Sequence, residues 1–511
     1  MSSCRVKGCP RNGFFSREGL PVRRVTTAIG LWFLCLSGIG VRAEGTFSPT
    51  QSMGAIRRGH TATLLPDGRV LVTGGNDGKD ALRSAELYDP LTQTWSFAAS
   101  MADARYGHTA TLLGDGTVLV TGGLDSPAFP GGGSDGIPLT SAERYNPVEG
   151  TWTPTGEMSA GRVTHTATLL LDGTVLVGGG FDGRVPLSSA ELYDPATGSW
   201  SPTGNLGAAR LHYTATRLLN GRVMVAGGAV TAAGEVYDSA AGTWSPTGDM
   251  AVNRLFHSAD LLTDGRVLVA GAWYGTGTPA IDRAELYDPV GNDWAATSRM
   301  GTPRGNHAST RLSDGQVLIA GGWDGTGHVA SAEVYDPERE KWSPAGSMSD
   351  SRESQTATLL RNGKVLIAGG WHFDSGFVYL DSAEIYEPGT LPSCAGLEPT
   401  IVGTEGADLL FGTLGDDIIA AGDGDDFISG LGGNDVICGG SGSDTIRGGD
   451  GNDRLLGGPG DDTLFGEQDN DQLFGGPDDD TLACGLGIDL GAGGQGQDQV
   501  TDDCEVTSGL P

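Results

Sequence analysis

Cysteine, basic residues and long apolar runs are all scarce in this sequence. None of the seven cysteines lies between residues 46 and 390, which excludes a disulfide or a cysteine-based centre within that stretch. The chain has 32 Lys and Arg against 64 Asp and Glu, a formal net charge of −32. Nucleic acid and anionic membrane surfaces are therefore unfavourable partners, whereas divalent cations are favourable ones.

The first 43 residues combine a long basic region with a short apolar one. The apolar run from Ala28 to Val41 is too short for a comfortable membrane span. Val41-Arg42-Ala43 then places small residues at the −3 and −1 positions of a cleavage site. We expect residues 1–43 to be a signal peptide cleaved near Ala43, which predicts an extracellular, cell-surface or periplasmic location. An uncleaved anchor is the alternative.

Four cysteines remain beyond that cleavage site: Cys394, Cys438, Cys484 and Cys504. An even number in an exported chain favours disulfides, and four cysteines allow three pairings. We favour Cys394–Cys438 and Cys484–Cys504, with free buried thiols as the alternative.

One supersecondary unit recurs seven times after the N-terminal segment. Each unit carries an Arg, a short alternating run such as His60–Leu65, an Asp-Gly or Asn-Gly pair, and a β-branched run such as Val70–Thr73. The Asp-Gly pair predicts a two-residue type I′ hairpin turn. The units begin at Met53, Met101, Met158, Leu206, Met250, Met300 and Met348.

The double glycine after the second run, the following Tyr and the Trp after that resemble the bacterial form of the kelch family. The resemblance implies an all-β fold in which residues 44–390 form a seven-bladed β-propeller. The seventh unit has no Trp after Tyr386, but Thr46-Phe47-Ser48-Pro49 resembles Thr243-Trp244-Ser245-Pro246. We therefore expect the N-terminal strand to complete the last blade.

From Gly403 the period changes to nine residues, with the consensus Gly-Gly-x-Gly-x-Asp-x-apolar-x. This segment contains 24 acidic residues and two Arg, so it requires a cation to fold. It resembles the repeats-in-toxin (RTX) β-roll, which implies a parallel roll of eleven nonapeptides over 403–501 that binds several calcium ions. Residues 391–402 are then a linker and 502–511 a cap. The predicted calcium ligands are Asp408, Asp417, Asp426, Asp435, Asp444, Asp453, Asp462, Asp471, Asp480, Asp489 and Asp498.

Aromatic residues mark a candidate ligand site on the propeller. Trp273, Trp323 and Trp371 directly follow the second strand of three adjacent units, and His372 follows the last. Neighbouring blades would bring these rings together, and such a patch suits stacking on a sugar or a cation. Packing between blades is the alternative interpretation.

Two further sets recur once per unit. The Arg of each unit, such as Arg57, could form a basic ring, but ion pairing with the Glu of the third strand, such as Glu86, is favoured. The motif histidines His60, His108, His165, His257 and His307 could suggest a metal ring, but hydrogen bonding at the first strand is favoured.

These features favour a secreted or surface calcium-binding protein whose propeller is a non-enzymatic module for a glycan or protein ligand. We expect the protein to be a monomer. An oxidase is the first alternative, because kelch propellers resemble that of galactose oxidase. The copper centre of galactose oxidase needs a tyrosine cross-linked to a cysteine, and residues 46–390 contain no cysteine. A glycosidase is the second, with loop carboxylates such as Asp182, Asp324 and Asp374. These aspartates lie in turns, where a structural role is favoured.

Overall fold

The computed structural model describes residues 45–126, 136–228, 232–274, 278–389, 394–397, 399–404, 406–501 and 504–506. These residues form 43 strands and no helix, so no helix in this part of the chain could cross a membrane. The chain divides between Ser393 and Cys394 into two compact units. The predicted signal peptide lies outside the described residues and stays a prediction.

The first unit is a β-propeller of seven four-stranded antiparallel sheets. β1 is Thr46–Pro49. Blades one to three are β2–β5 (Thr61–Leu64, Val70–Thr73, Ala85–Asp89, Thr94–Ala98), β6–β9 (Thr109–Leu112, Val118–Thr121, Ala142–Asn146, Thr151–Pro154) and β10–β13 (Thr166–Leu169, Val175–Gly178, Ala190–Asp194, Ser199–Pro202).

Blades four to six are β14–β17 (Thr214–Arg217, Val223–Ala226, Ala233–Asp238, Thr243–Asp249), β18–β21 (Ser258–Leu261, Val267–Ala272, Ile281–Asp288, Asp293–Ala296) and β22–β25 (Ala308–Arg311, Val317–Ala320, Ser331–Asp336, Lys341–Ser347). The seventh region holds β26–β30 (Thr356–Leu359, Val365–Ala368, Trp371–Phe373, Phe377–Tyr379, Ala383–Glu387), in which β28 and β29 form a separate hairpin.

The second strand of each blade is apolar because it is covered on both faces. Every residue of β3 is buried, as is every residue of the equivalent strands in the other blades. The recurring Tyr and Trp pack across the third and fourth strands, as Tyr88 and Trp95 do with ring centroids 5.0 Å apart. The sequence repeat is thus a repeat of the packing between blades.

The N-terminal strand closes the ring, as predicted. β1 pairs antiparallel with β30, with Phe47 opposite Tyr386. Their ring centroids are 4.9 Å apart, so Phe47 occupies the place that the Trp holds in the other blades. Joining both ends of the propeller within one sheet removes the open edge of the seventh blade.

The hairpin turns at the Asp-Gly pairs are not type I′, so this prediction was wrong. Gly68 has a φ of 91°, but Asp67 has no positive φ. Gly68 N–H donates to Leu65 O at 3.0 Å, and Leu65 N–H donates to Arg69 O at 2.8 Å. This is a three-residue loop, a type I turn followed by a left-handed glycine. Asp67 Oδ1 instead accepts a hydrogen bond from Arg69 N–H at 3.0 Å.

The second unit is a parallel β-roll of two sheets. One sheet contains β31 (Ile401–Val402), β33 (Ile418–Asp423), β35 (Val436–Ser441), β37 (Arg454–Leu456), β39 (Gln472–Pro477), β41 (Leu490–Gln495) and β43 (Glu505–Val506). The other contains β32 (Leu409–Phe411), β34 (Phe427–Gly432), β36 (Thr445–Asp450), β38 (Thr463–Gln468), β40 (Thr481–Leu486) and β42 (Gln499–Val500). The roll begins with β31, two residues before its predicted start at Gly403.

Each turn of the roll takes two nonapeptides, since Ile419 pairs with Ile437 and Ile428 with Ile446. The aliphatic residue of each repeat faces a narrow core, where these residues are fully buried from Ile419 to Leu482. The repeat that lacks an aliphatic residue has Gly491 instead, and a Cβ there would lie 3.2 Å from Cys504 Sγ and 3.3 Å from Cys484 Sγ. A disulfide therefore fills the core where the tenth repeat lacks an aliphatic residue.

The structure contains both predicted disulfides. Cys394 is bonded to Cys438, and Cys484 is bonded to Cys504. The first attaches the segment that precedes β31 to β35. The second attaches the end of the roll to β40, although most of the predicted cap at 502–511 lies outside the described residues.

Candidate functional sites in the pocket and the roll

The double glycine after the second strand positions the aromatic residues of the propeller. Gly321 and Gly322 have φ values of 67° and 100°, and a Cβ on Gly321 would lie 2.5 Å from Arg352 O. Only glycine fits this close approach between neighbouring blades. The next residue, Trp323, then forms a β-bridge with Gly305, and Trp371 forms the equivalent bridge with Glu353.

Blade five departs from this arrangement because Ala272 replaces the second glycine. There the second strand continues through Ala272, which pairs with Ile281 beyond a bulge. Trp273 N–H donates to Leu255 O at 2.9 Å. The Trp of this blade thus points to the same region as those of the next two blades.

The three predicted tryptophans form one continuous aromatic row. The ring centroids of Trp273 and Trp323 are 6.2 Å apart. His328 lies between Trp323 and Trp371, with centroid distances of 5.0 Å and 4.8 Å. The row borders a pocket of about 270 Å³, to which the β28–β29 hairpin contributes Phe373 and Phe377.

A buried carboxyl group completes the pocket. Glu353 is 4% exposed, and its Oε2 atom has no hydrogen-bond partner among the described residues. Burial raises the pKa of Glu353 to about 7, although Asn306, Arg58 and Trp371 oppose that rise. The Nε1–H of Trp273 is also buried without a partner in the described chain. The Nε1–H of Trp371 favours the charged form of Glu353 but does not reach full hydrogen-bond geometry.

His328 is neutral at physiological pH. Burial lowers its pKa to about 4. Phe373 N–H donates to His328 Nδ1 at 3.3 Å, which places the ring proton on Nε2. That nitrogen is 4.0 Å from Glu353 Oε1, too far for a hydrogen bond. The pocket therefore presents unpaired donors and an unpaired acceptor between aromatic rings.

The fourth residue predicted for this site, His372, does not line the pocket. It pairs with Val378 in the middle of the β28–β29 hairpin, between Trp371 and Phe373. Side chains alternate along a strand, so His372 points to the opposite side from its two neighbours. The ligand-binding role of the three tryptophans stays a prediction.

Sequence reasoning missed Glu353 and His328. A signal for Glu353 was present, because it follows Arg352 where the other units have Arg58, Tyr106, Val163, Leu211, Leu255 and Gly305. A carboxyl group found in one copy only indicates a local role that the repeat does not need. His328 lies outside the repeating pattern, and nothing in the sequence relates it to the tryptophans.

The seven motif arginines are buried ion-pair partners and do not form an exposed basic ring. Arg304 is 0% exposed, and its Nη2 donates to Glu333 Oε1 at 2.9 Å. The same arginine donates to the carbonyls of Gly321 and Ser331. The equivalent pairs are Arg57–Glu86, Arg105–Glu143, Arg162–Glu191, Arg210–Glu235, Arg254–Glu285 and Arg352–Glu384.

The motif histidines connect neighbouring blades by hydrogen bonds. His165 Nε2 lies 3.2 Å from Thr109 Oγ1 and 3.0 Å from Thr121 Oγ1 of the preceding blade. Burial lowers the pKa of His165 to about 3, so the ring is neutral. We predicted hydrogen bonding by these histidines at the first strand of their own blade. The hydrogen bonds instead connect each blade to the preceding one.

Two of the three loop aspartates considered as glycosidase carboxylates accept hydrogen bonds that stabilise turns. Asp182 Oδ1 accepts hydrogen bonds from Arg184 N–H and Val185 N–H, both at 2.8 Å. Asp324 Oδ1 accepts them from Thr326 N–H and Gly327 N–H at 2.6 and 2.7 Å. Asp374 N–H donates to Gly376 O at 3.0 Å, also within a turn.

The repeat aspartates of the roll keep one carboxylate oxygen unpaired. Asp453 Oδ1 accepts a hydrogen bond at 2.8 Å from the N–H of Asp435, one full turn earlier. Its Oδ2 is buried with no partner, and burial raises the pKa of Asp453 to about 7. The same unpaired Oδ2 occurs in Asp426, Asp435, Asp444, Asp462, Asp471, Asp480 and Asp489.

The first two repeats differ from these eight. Asp408 Oδ2 accepts hydrogen bonds from the backbone and hydroxyl of Thr404, and Asp417 Oδ2 accepts them from Thr413. Their carboxylates are thus satisfied within their own repeat. Asp498, in the last repeat, is half-buried and accepts a hydrogen bond from Asp480 N–H at 3.1 Å.

The unpaired oxygens fit calcium. In six of the eight, Oδ2 lies where a Cβ on the first residue of the repeat would be, and a Cβ on Gly448 would be 2.3 Å from Asp453 Oδ2. Glycine therefore makes room for the carboxylate itself, whereas Asp426 and Asp489 have Ala421 and Cys484 at this position. Among the described residues no three His, Cys, Asp or Glu side chains converge on one point. Calcium requires six to eight oxygens, so the other ligands would be backbone or amide carbonyls and water.

Comparison with known proteins agrees with both units. The kelch motif matches residues 57–102, 104–159, 162–207 and 304–349. The RTX calcium-binding nonapeptide repeat, in a model of four copies, matches residues 402–437, 411–446, 439–473, 447–482 and 456–490. No curated protein matches the chain.

A fungal alcohol oxidase of the AA5 family, solved in complex with copper, is similar in structure with a TM-score of 0.57. It is 19% identical, and the match covers 70% of this chain and 79% of that chain. At this identity the similarity shows the fold alone. The chain contains kelch motifs that form a seven-bladed β-propeller, followed by RTX calcium-binding nonapeptide repeats that form a parallel β-solenoid.

Proposed function

We propose that the protein is a secreted or surface calcium-binding protein whose propeller binds a glycan in the aromatic pocket without acting as an enzyme. The observation that carries the proposal is the convergence of Trp273, Trp323 and Trp371 around a concave space of about 270 Å³. Sugar rings stack on flat aromatic faces through their apolar C–H surfaces. Their hydroxyl groups need the donors and acceptors that this pocket leaves unpaired.

The calcium-binding roll is the second support for an extracellular function. The roll carries RTX repeats, and eight of their aspartates have a buried oxygen without a partner among the described residues. The segment from Gly403 onward has a net charge of −22. Bound calcium compensates this negative charge. Extracellular calcium sites bind in the range of roughly 10⁻⁴–10⁻³ M. The tail therefore folds outside the cell, where the propeller meets its ligand.

A glycan array with the full chain in calcium tests the proposal. We expect saturable binding of a defined set of glycans. The Trp323→Ala variant should bind at least tenfold more weakly, because it removes the ring between Trp273 and His328. The matched control is Tyr274→Ala, which removes an exposed aromatic side chain next to Trp273 that does not line the pocket.

Two outcomes would contradict the proposal. The first is an absence of glycan binding, or equal losses in the two variants. The second is cleavage or oxidation of a bound sugar, which would make the propeller an enzyme. Far-UV circular dichroism of each variant shows that the propeller remains folded.

A further inference from the structure

The aromatic pocket encloses one carboxyl group, Glu353, that forms no ion pair with an Arg or Lys of the described residues. Glu353 is 4% exposed, in contrast to the seven motif glutamates, each of which pairs with a buried arginine. The nearest basic nitrogen is Nε2 of His328 at 4.0 Å. That histidine is neutral, since burial lowers its pKa to about 4.

Arg58, the arginine that acts on Glu353, stacks on two aromatic rings. The Arg58 guanidinium lies over the Trp371 ring at 5.0 Å and over the Tyr379 ring at 5.3 Å. It favours the charged form of Glu353 through space but makes no hydrogen bond to it among the described residues. Asn306 donates one side-chain N–H to Ser354 Oγ at 2.7 Å and also hydrogen-bonds to Glu353, which favours its charged form but supplies no positive charge.

A buried carboxylate beside indole rings, with one oxygen that lacks a partner among the described residues, is the arrangement that recognises an organic cation. The faces of Trp, Tyr and Phe attract ammonium groups, most strongly where water is excluded. A carboxylate buried without a partner is costly, and an ammonium group in the ligand removes that cost. The pocket therefore has two features, aromatic faces and one acid, that act on the same charge.

We infer that the sugar bound in the pocket is an amino sugar with a free, positively charged amino group, whose ammonium pairs with Glu353 while its ring stacks on the tryptophans. This inference rests on the proposed glycan-binding function and adds the chemical class of the sugar. An N-acetylated sugar of the same size would offer a neutral amide to Glu353 and leave its negative charge without a cation.

The test is calorimetric titration of the full chain, in calcium and at pH 7, with two tetrasaccharides that differ only in acetylation. One is a β-1,4-linked glucosamine tetramer, and the other is its fully N-acetylated form. We expect the wild-type chain to bind the free-amine tetramer at least tenfold more tightly. Glu353→Gln should remove that preference, because it weakens binding of the free-amine tetramer more than binding of the acetylated one.

The acidic roll could attract any cationic sugar, so the control removes an equal charge elsewhere. Glu338 is an exposed carboxylate on blade six, and Glu338→Gln should leave the preference unchanged. Salt at about 0.15 M screens exposed charges beyond roughly 8 Å. A buried pair at Glu353 is screened much less.

Each other result overturns the inference in a recognisable way. Equal affinity for the two tetramers, or a preference that survives in Glu353→Gln, refutes the amino-sugar inference and leaves glycan binding intact. The same conclusion follows if neither tetramer binds but other glycans of the array do. If no glycan binds at all, the proposed function itself fails.

Discussion

Replacing Glu333 by Gln is expected to lower the free energy of unfolding of the propeller by about 3–5 kcal/mol. Arg304 is 0% exposed, and Glu333 Oε1 accepts its Nη2 hydrogen at 2.9 Å. Glu333 also accepts hydrogen bonds from Gly301 N–H and Thr302 N–H at 2.6 and 3.0 Å. Glutamine has the same shape but leaves the buried guanidinium charge uncompensated.

That loss is large against a typical stability of about 5–15 kcal/mol. Urea unfolding followed by tryptophan fluorescence, at constant calcium, measures it as a shift of the midpoint. Asp282→Asn is the matched control, because the Arg299–Asp282 pair is 59% and 31% exposed and is expected to contribute less than about 1 kcal/mol. If Glu333→Gln were no more destabilising than Asp282→Asn, the buried pair would not hold the blades as argued.

Two further perturbations have defined outcomes. Gly440→Ala should abolish ordering of the roll, because its Cβ would lie 1.7 Å from Gly422 O, whereas Gly415→Ala, 3.9 Å from the nearest atom, should not; hydrogen exchange over residues 403–501 distinguishes the two. Acidification should destabilise the propeller, since burial lowers the pKa of His307 from 6.5 to about 3. The unfolded chain then takes up a proton that the folded chain excludes, so the stability is fully present above about pH 6.5 and falls as the pH drops towards 3. Urea midpoints at pH 7.5 and pH 5 should differ less in His307→Gln, which copies Gln355 of the seventh unit; equal differences would contradict this reasoning.

The repeats made most of the fold predictable from sequence. A unit that recurs seven times must place each residue type in the same environment seven times, so burial of the Val70–Thr73 run and pairing of Arg57 with Glu86 follow from pattern alone. The missing Trp after Tyr386 predicted closure by Phe47 for the same reason. The nonapeptide period likewise predicted the aliphatic core of the roll.

What sequence did not predict depends on single residues that break the pattern. The turn at Asp67-Gly68 has the composition of a type I′ turn, but hydrogen bonds to Leu65 lengthen the loop by one residue. Glu353 and His328 meet only because blades six and seven are adjacent in space. The Cys484–Cys504 pairing was predicted, but its position in the core beside Gly491, in place of an aliphatic side chain, was not.

Hydrogen exchange on the full chain, with calcium at roughly millimolar concentration or with a chelator, tests most directly the claim that buried aspartates of the roll need calcium to stack. We expect amides of residues 403–501 to be protected only with calcium, and amides of the propeller strands to be protected in both conditions. Equal protection of the roll with and without calcium would contradict that claim.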